Sequence, residues 1–142
     1  MDSPMTTASS LPTLPTGTLL LRTVAMPADT NPAGDIFGGW IMSQMDIAGG
    51  ILAKETSMSR VVTVAVDSMR FFKPVHVGDV VCCYGKVVRI GTTSVAIKLE
   101  VWVTPAIRSR TEDSCQSMVT EAAFTYVALD EHEQKQKIDP TS

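Results

Sequence analysis

Apolar residues at Ile41, Met45, Ala48 and Leu52 recur at i, i+4, i+7 and i+11, one stripe that predicts a helix from Gly38–Trp40 to Lys54 or Glu55. The neighbouring row holds Met42, Asp46, Gly49 and Ala53, so a single carboxylate sits on an otherwise small or apolar surface. Shorter runs have strand character: Leu19–Ala25, Arg60–Phe72, Val80–Ile90, Ser94–Val103 and Val119–Leu129. The run Val61-Val62-Thr63-Val64-Ala65-Val66 is apolar on both parities, as expected for a central strand. Between these runs, Met26–Gly34 reads as a loop with two prolines, Lys73–Asp79 as a turn, Gly91-Thr92-Thr93 as a hairpin, and Pro105–Ser117 as a longer polar loop.

The order is strand, helix, then four strands expected to be joined by hairpins. This is an α+β pattern in which an antiparallel sheet wraps around one helix. One helix of about four turns cannot cover both faces of such a sheet, and its open edges call for a second copy of the chain. The pair Gly49-Gly50 inside the helix costs roughly 1 kcal/mol per glycine relative to alanine, which predicts a backbone or ligand approaching closely there. The Ser-, Thr- and Pro-rich residues 1–17 read as a disordered leader, residues 18–130 as the domain, and the polar tail 131–142 as a segment that frays.

Composition narrows the function. The chain has 142 residues and a net charge of −3, with scattered rather than striped Lys and Arg, so no nucleic-acid surface is expected. It contains no run of about 18 apolar residues to span a membrane and no secretory signal pattern. Three cysteines, two of them adjacent (Cys82, Cys83), make neither a disulfide framework nor a zinc site, so a cytoplasmic protein without metal or other cofactor is expected. Nucleophile-elbow, phosphate-loop and dinucleotide glycine patterns are missing, which disfavours a Ser-His-Asp hydrolase or a nucleotide enzyme.

Candidate chemistry gathers at the helix start. Gly38 and Gly39 place unpaired amides at a helix N-terminus, where they suit a developing oxyanion. Asp46 follows two turns later, and Met42, Met45 and Ile47 would desolvate it. Asp46 as a satisfied polar residue between helix and sheet, Asp35 as a helix cap or turn residue, and the methionines Met42, Met45 and Met69 as core fillers are the plainer readings of the same residues. His76 and His132 fall in a turn and in the tail, where exposure is expected.

The segments Met26-Pro27-Ala28-Asp29-Thr30-Asn31, Gly34-Asp35-Ile36-Phe37-Gly38-Gly39-Trp40, Met42-Ser43-Gln44-Met45-Asp46, Val61-Val62-Thr63-Val64-Ala65-Val66-Asp67, Lys73-Pro74 and Val77-Gly78-Asp79-Val80-Val81 resemble, in register, the hotdog-fold acyl-CoA thioesterases and, within them, the bacterial YciA type. The resemblance spans about Leu19 to Asp130 and departs from the pattern at Pro32, where a smaller residue is expected. It implies an acyl-CoA substrate and a CoA product, a homodimer paired sheet edge to sheet edge, and assembly into a tetramer or hexamer. It also implies Asp46 as the catalytic carboxylate, acting as general base or as nucleophile, in a site lying between protomers. Asp35 would orient water or substrate, with Phe37 and Met42 as substrate-binding side chains. Arg70, Lys73, Arg89, Thr92 and Thr93 would receive the CoA phosphates and adenine. A thioester dehydratase and a non-catalytic acyl-CoA or acyl-carrier binding protein are the alternatives on the same fold.

Overall fold

A computed structural model describes residues 11–105 and 116–139. Strands β1 (Thr18–Val24), β2 (Arg60–Phe71), β3 (Val80–Ile90), β4 (Ser94–Thr104) and β5 (Ser117–Leu129) form one sheet, and helix α1 (Gly38–Ser57) lies between β1 and β2 in the chain. The sheet order is β1-β3-β4-β5-β2, antiparallel throughout. α1 packs against all five strands. Alternate residues of β4 (Val95, Ile97, Leu99, Val101) and of β5 (Ala122, Phe124, Tyr126) meet Ile41, Met45 and Ala48 in the core, the period of two closing on the period of 3.6. The helix runs to Ser57, slightly past the expected end, and stops where Met58 turns left-handed (φ 54°) with its amide on the Lys54 carbonyl.

Three expectations need correction. β2 pairs only with β5, so it is an edge strand and not a central one. Its two-sided apolar pattern encodes a burial that one chain does not supply, since Val62, Val64 and Val66 are exposed. Nor does a hairpin join β2 to β3: they are not neighbours, and the segment between them crosses the end of the sheet, where the Val75 carbonyl accepts the Ile36 amide (2.9 Å). Finally, the tail does not fray over its described part. Gln136 and Ile138 donate their amides to the carbonyls of Ala128 and Thr92 (both 2.8 Å), Ile138 is buried, and Arg60 pairs with Glu133 (2.8 Å). One isoleucine in a charged segment is a weak signal that composition hides. Residues 1–10 of the leader and most of the 105–117 loop lie outside the described residues.

The face of the sheet away from α1 carries a buried carboxylate. Glu100 on β4 is 1% exposed and accepts from the Trp102 indole (2.9 Å), the Thr16 hydroxyl (2.7 Å) and the Thr16 amide (3.1 Å), with Lys98 Nζ 3.6 Å away. The end of the leader is thereby strapped over the sheet. Gly17 makes the crossing with φ +90°, against the Gly85 backbone, where a Cβ has no room. Burial pushes the Glu100 carboxyl up, but the Trp102 and Thr16 donors and the Lys98 charge together hold it below the ordinary value of 4.5.

Its contribution to stability is therefore complete above the unfolded glutamate range and is lost as pH falls through the lower folded value. Glu100→Ala should cost about 2–3 kcal/mol at neutral pH, because it leaves the indole N–H and Thr16 unpaired. Urea melts across pH 3–7 check both statements. An equally steep acid loss of stability in Glu100→Gln would contradict the pH dependence.

Candidate active site

α1 begins directly after Phe37, whose carbonyl accepts the Trp40 and Ile41 amides (3.1 and 3.3 Å). The amides of Gly38 and Gly39 have no acceptor among the described residues, as the first positions of a helix require. Around Gly39 nothing lies within 4 Å of where a Cβ would stand, so its backbone is open to approach. Two turns on, Asp46 is half-buried and faces β2 and β5. Gly39, Met42, Ser43, Asp46, Thr63, Val66 and Phe124 line an open groove of about 320 Å³. Other grooves of similar size lie on the far face of the sheet, by Val88, Lys98 and Glu121, and beside Met58 and Arg60 at the helix end. Of these three, only the Asp46 groove combines a carboxylate, hydroxyl donors and the helix start.

Asp46 is held through one oxygen. The Thr63 hydroxyl donates to Oδ1 at 2.5 Å, and the Tyr126 hydroxyl is shared between Oδ1 (3.1 Å) and the Asp46 carbonyl (3.0 Å). Oδ2 has no protein partner among the described residues. Burial first, and then the adjacent Asp46 charge, push the Tyr126 phenol far above its ordinary value, so it remains a protonated donor. The phenol reaches Asp46 because α1 carries glycine at position 49: a Cβ there would fall on the Tyr126 hydroxyl and close to its ring. What approaches Gly49 closely is therefore not the expected backbone or ligand but side chains, Tyr126 of β5 and Leu99 of β4.

Met42 and Ile47 are exposed in the isolated chain, so the apolar surround expected for Asp46 is partial, while Met45 is buried and Met69 packs on the core. Asp35 and Phe37 do not line the groove of their own protomer. Asp35 sits in a loop closed by Asn31, whose side-chain oxygen accepts the Ala33 and Asp35 amides (2.9 and 3.1 Å). No side chain caps α1, so Asp35 is not its cap. His76, expected in solvent, stands between Asp35 (3.7 Å) and Asp79 (3.8 Å) and is nevertheless largely exposed. The expected CoA residues divide: Arg70 and Lys73 lie at the Phe71 end of β2, whereas Arg89, Thr92 and Thr93 flank the β3–β4 hairpin at the opposite end. Thr63 and Tyr126 escaped sequence reasoning. The one hydroxyl within the run Val61–Val66 and the glycine facing β5 are their signals.

One helix wrapped by a five-stranded antiparallel sheet, with a carboxylate opening onto a groove beside the helix start, defines a hotdog-fold hydrolase. Residues 33–106 match the family model described as Thioesterase superfamily. The chain is 59% identical over 117 residues to the acyl-CoA thioester hydrolase YciA of Escherichia coli, covering 82% of this chain and 87% of that protein. A hexameric broad-specificity acyl-coenzyme A thioesterase superposes with a TM-score of 0.82 at 55% identity, over 87% of each chain. A hexameric thioesterase from Yersinia pestis does so at 0.81 and 54%, over 89% of this chain and 99% of that one. The chain belongs to the thioesterase superfamily. Among the described residues no helix is long and apolar enough to cross a membrane.

The two helix glycines should respond oppositely to alanine. Gly49→Ala should destabilise by about 1–3 kcal/mol through the collision with Tyr126. Gly50→Ala, whose Cβ meets only Tyr126 Cε2 at 3.9 Å, should be neutral or stabilise by up to about 1 kcal/mol. Thermal unfolding of the two variants decides it, and equal melting temperatures would remove the close-packing explanation.

Proposed function

We propose that this protein is an acyl-CoA thioester hydrolase, releasing a carboxylic acid and CoA, with Asp46 as its catalytic carboxylate. The observation that carries the reading is Asp46 lining a groove with its Oδ2, and two helix-start amides beside it, without a partner among the described residues, in a chain with 59% identity to a named acyl-CoA thioester hydrolase.

Oxygen attacks the thioester carbonyl, the carbonyl oxygen becomes an oxyanion, and collapse breaks the C–S bond. The CoA thiolate then leaves and takes up a proton. Amides at Gly38 and Gly39 stabilise the oxyanion, each such donor contributing about 3 kcal/mol. A thiol of pKa about 8.5 leaves readily, so the site does without a strong acid. Asp46 either takes the proton of an attacking water or attacks to form an anhydride that water opens. A dehydratase is disfavoured, because His76 lies against Asp35 and Asp79, not at Asp46.

The homodimer is the working unit in this reading. Antiparallel pairing of two β2 edges covers Val62, Val64 and Val66, and it brings Arg70 and Lys73 of one protomer to the same end as the β3–β4 hairpin of the other. That joins the two halves of the CoA site, at Arg70 and Lys73 and at Arg89, Thr92 and Thr93. It also allows Asp35 and Phe37 to serve a site between protomers. Dimers then assemble into a tetramer or hexamer; the hexameric thioesterases that this chain superposes on favour the latter. Free, buried Cys82 and Cys83 support a cytoplasmic setting.

Asp46→Asn should lose at least about 100-fold in kcat while keeping acyl-CoA affinity, and Asp35→Ala should lose less. Free-thiol release from acetyl- to palmitoyl-CoA, together with equilibrium binding, measures this; full turnover by Asp46→Asn would overturn the assignment. A monomer by light scattering at micromolar concentration would contradict the shared site.

A further inference from the structure

Asp46 has two carboxylate oxygens but, among the described residues, only Oδ1 is engaged, and both of its donors are hydroxyls that come from different strands. Thr63 is exposed on the edge strand, at the mouth of the groove. Tyr126 differs in kind. It is 1% exposed and stacked on Phe124 with ring centroids 6.3 Å apart. It donates both to the Asp46 carboxylate and to the Asp46 carbonyl, so it ties the side chain to the helix backbone at that residue. Gly49 gives it the space, at a cost in helix propensity.

We infer that Tyr126 is a positioning residue for the hydrolysis: it fixes Asp46 through Oδ1 so that Oδ2 remains the oxygen presented to water or thioester. Tyr126 does not line the groove and acts only through Asp46. This inference rests on the reading of Asp46 as the catalytic carboxylate. A carboxylate free to turn about its terminal bond would spend much of its time in unproductive orientations, and sub-ångström placement is worth one to two orders of magnitude in rate. The chemistry asks for a donor that cannot itself ionise at working pH, which a buried phenol beside a carboxylate satisfies.

The test compares Tyr126→Phe, Asp46→Asn and their combination in the full-length protein with one acyl-CoA substrate. Phenylalanine keeps the ring and its packing, so the variant folds. Tyr126→Phe should lower kcat roughly tenfold with KM within about twofold, and the same change in the Asp46→Asn background should leave the residual rate unchanged. Gly49→Ala, which displaces the hydroxyl without removing it, should reproduce the drop in kcat. Wild-type kcat in Tyr126→Phe, or a loss of equal size in the Asp46→Asn background, would overturn the inference. Full activity in Asp46→Asn would instead overturn the reading beneath it.

Discussion

The contact between Gly49 on α1 and the Tyr126 phenol on β5 sets how closely the helix lies on its sheet, and the site depends on that distance. Helix backbone and aromatic ring approach because no Cβ intervenes. A glycine in mid-helix costs about 1 kcal/mol, and burying the faces of a large ring recovers more than that. Once the helix is seated there, its next residues follow geometrically. Asp46, three positions earlier, meets the same hydroxyl, and Gly39 lies two turns before it on the same groove. Position of the carboxylate and position of the helix are one constraint.

The sheet has to satisfy two different surroundings. Its concave face is apolar wherever α1 covers it, so alternate residues of β4 and β5 carry the core. Its convex face holds Glu100, which survives burial because an indole, a hydroxyl, an amide and a lysine surround it. The β2 edge is different again, apolar, unpaired and long. An edge of that kind is a hazard in a monomer and an interface in an oligomer. The dimer needed to cover it is the same dimer that would bring together the two separated groups of residues proposed for CoA.

Much of this was legible in the residues. The stripe Ile41, Met45, Ala48 and Leu52 located α1, and the β-branched runs located the strands to within a few residues, because both periods report burial against a core. Asp46 stood out as a charge in a small-residue row. What failed was non-local. The two-sided apolar run of β2 predicts a central strand, yet β2 is an edge, because hydropathy records burial without saying whose chain provides it. The crossing after β2 could not be told from a hairpin, since strand order is decided by pairings far apart in sequence. Thr63 and Tyr126 have no local signature: a threonine in a strand and a tyrosine in a core are ordinary until the fold places both on one carboxylate oxygen.

The central claim is that the thioester carbonyl is attacked at the Asp46 groove. It is tested most directly by a crystal structure with a non-hydrolysable acyl-CoA in which a methylene replaces the thioester sulfur and the carbonyl is kept. The account predicts the carbonyl carbon about 3–3.5 Å from Asp46 Oδ2, or one water away, with its oxygen on helix-start amides at about 3 Å. A carbonyl seated away from Asp46, with Oδ2 left facing solvent, would contradict it.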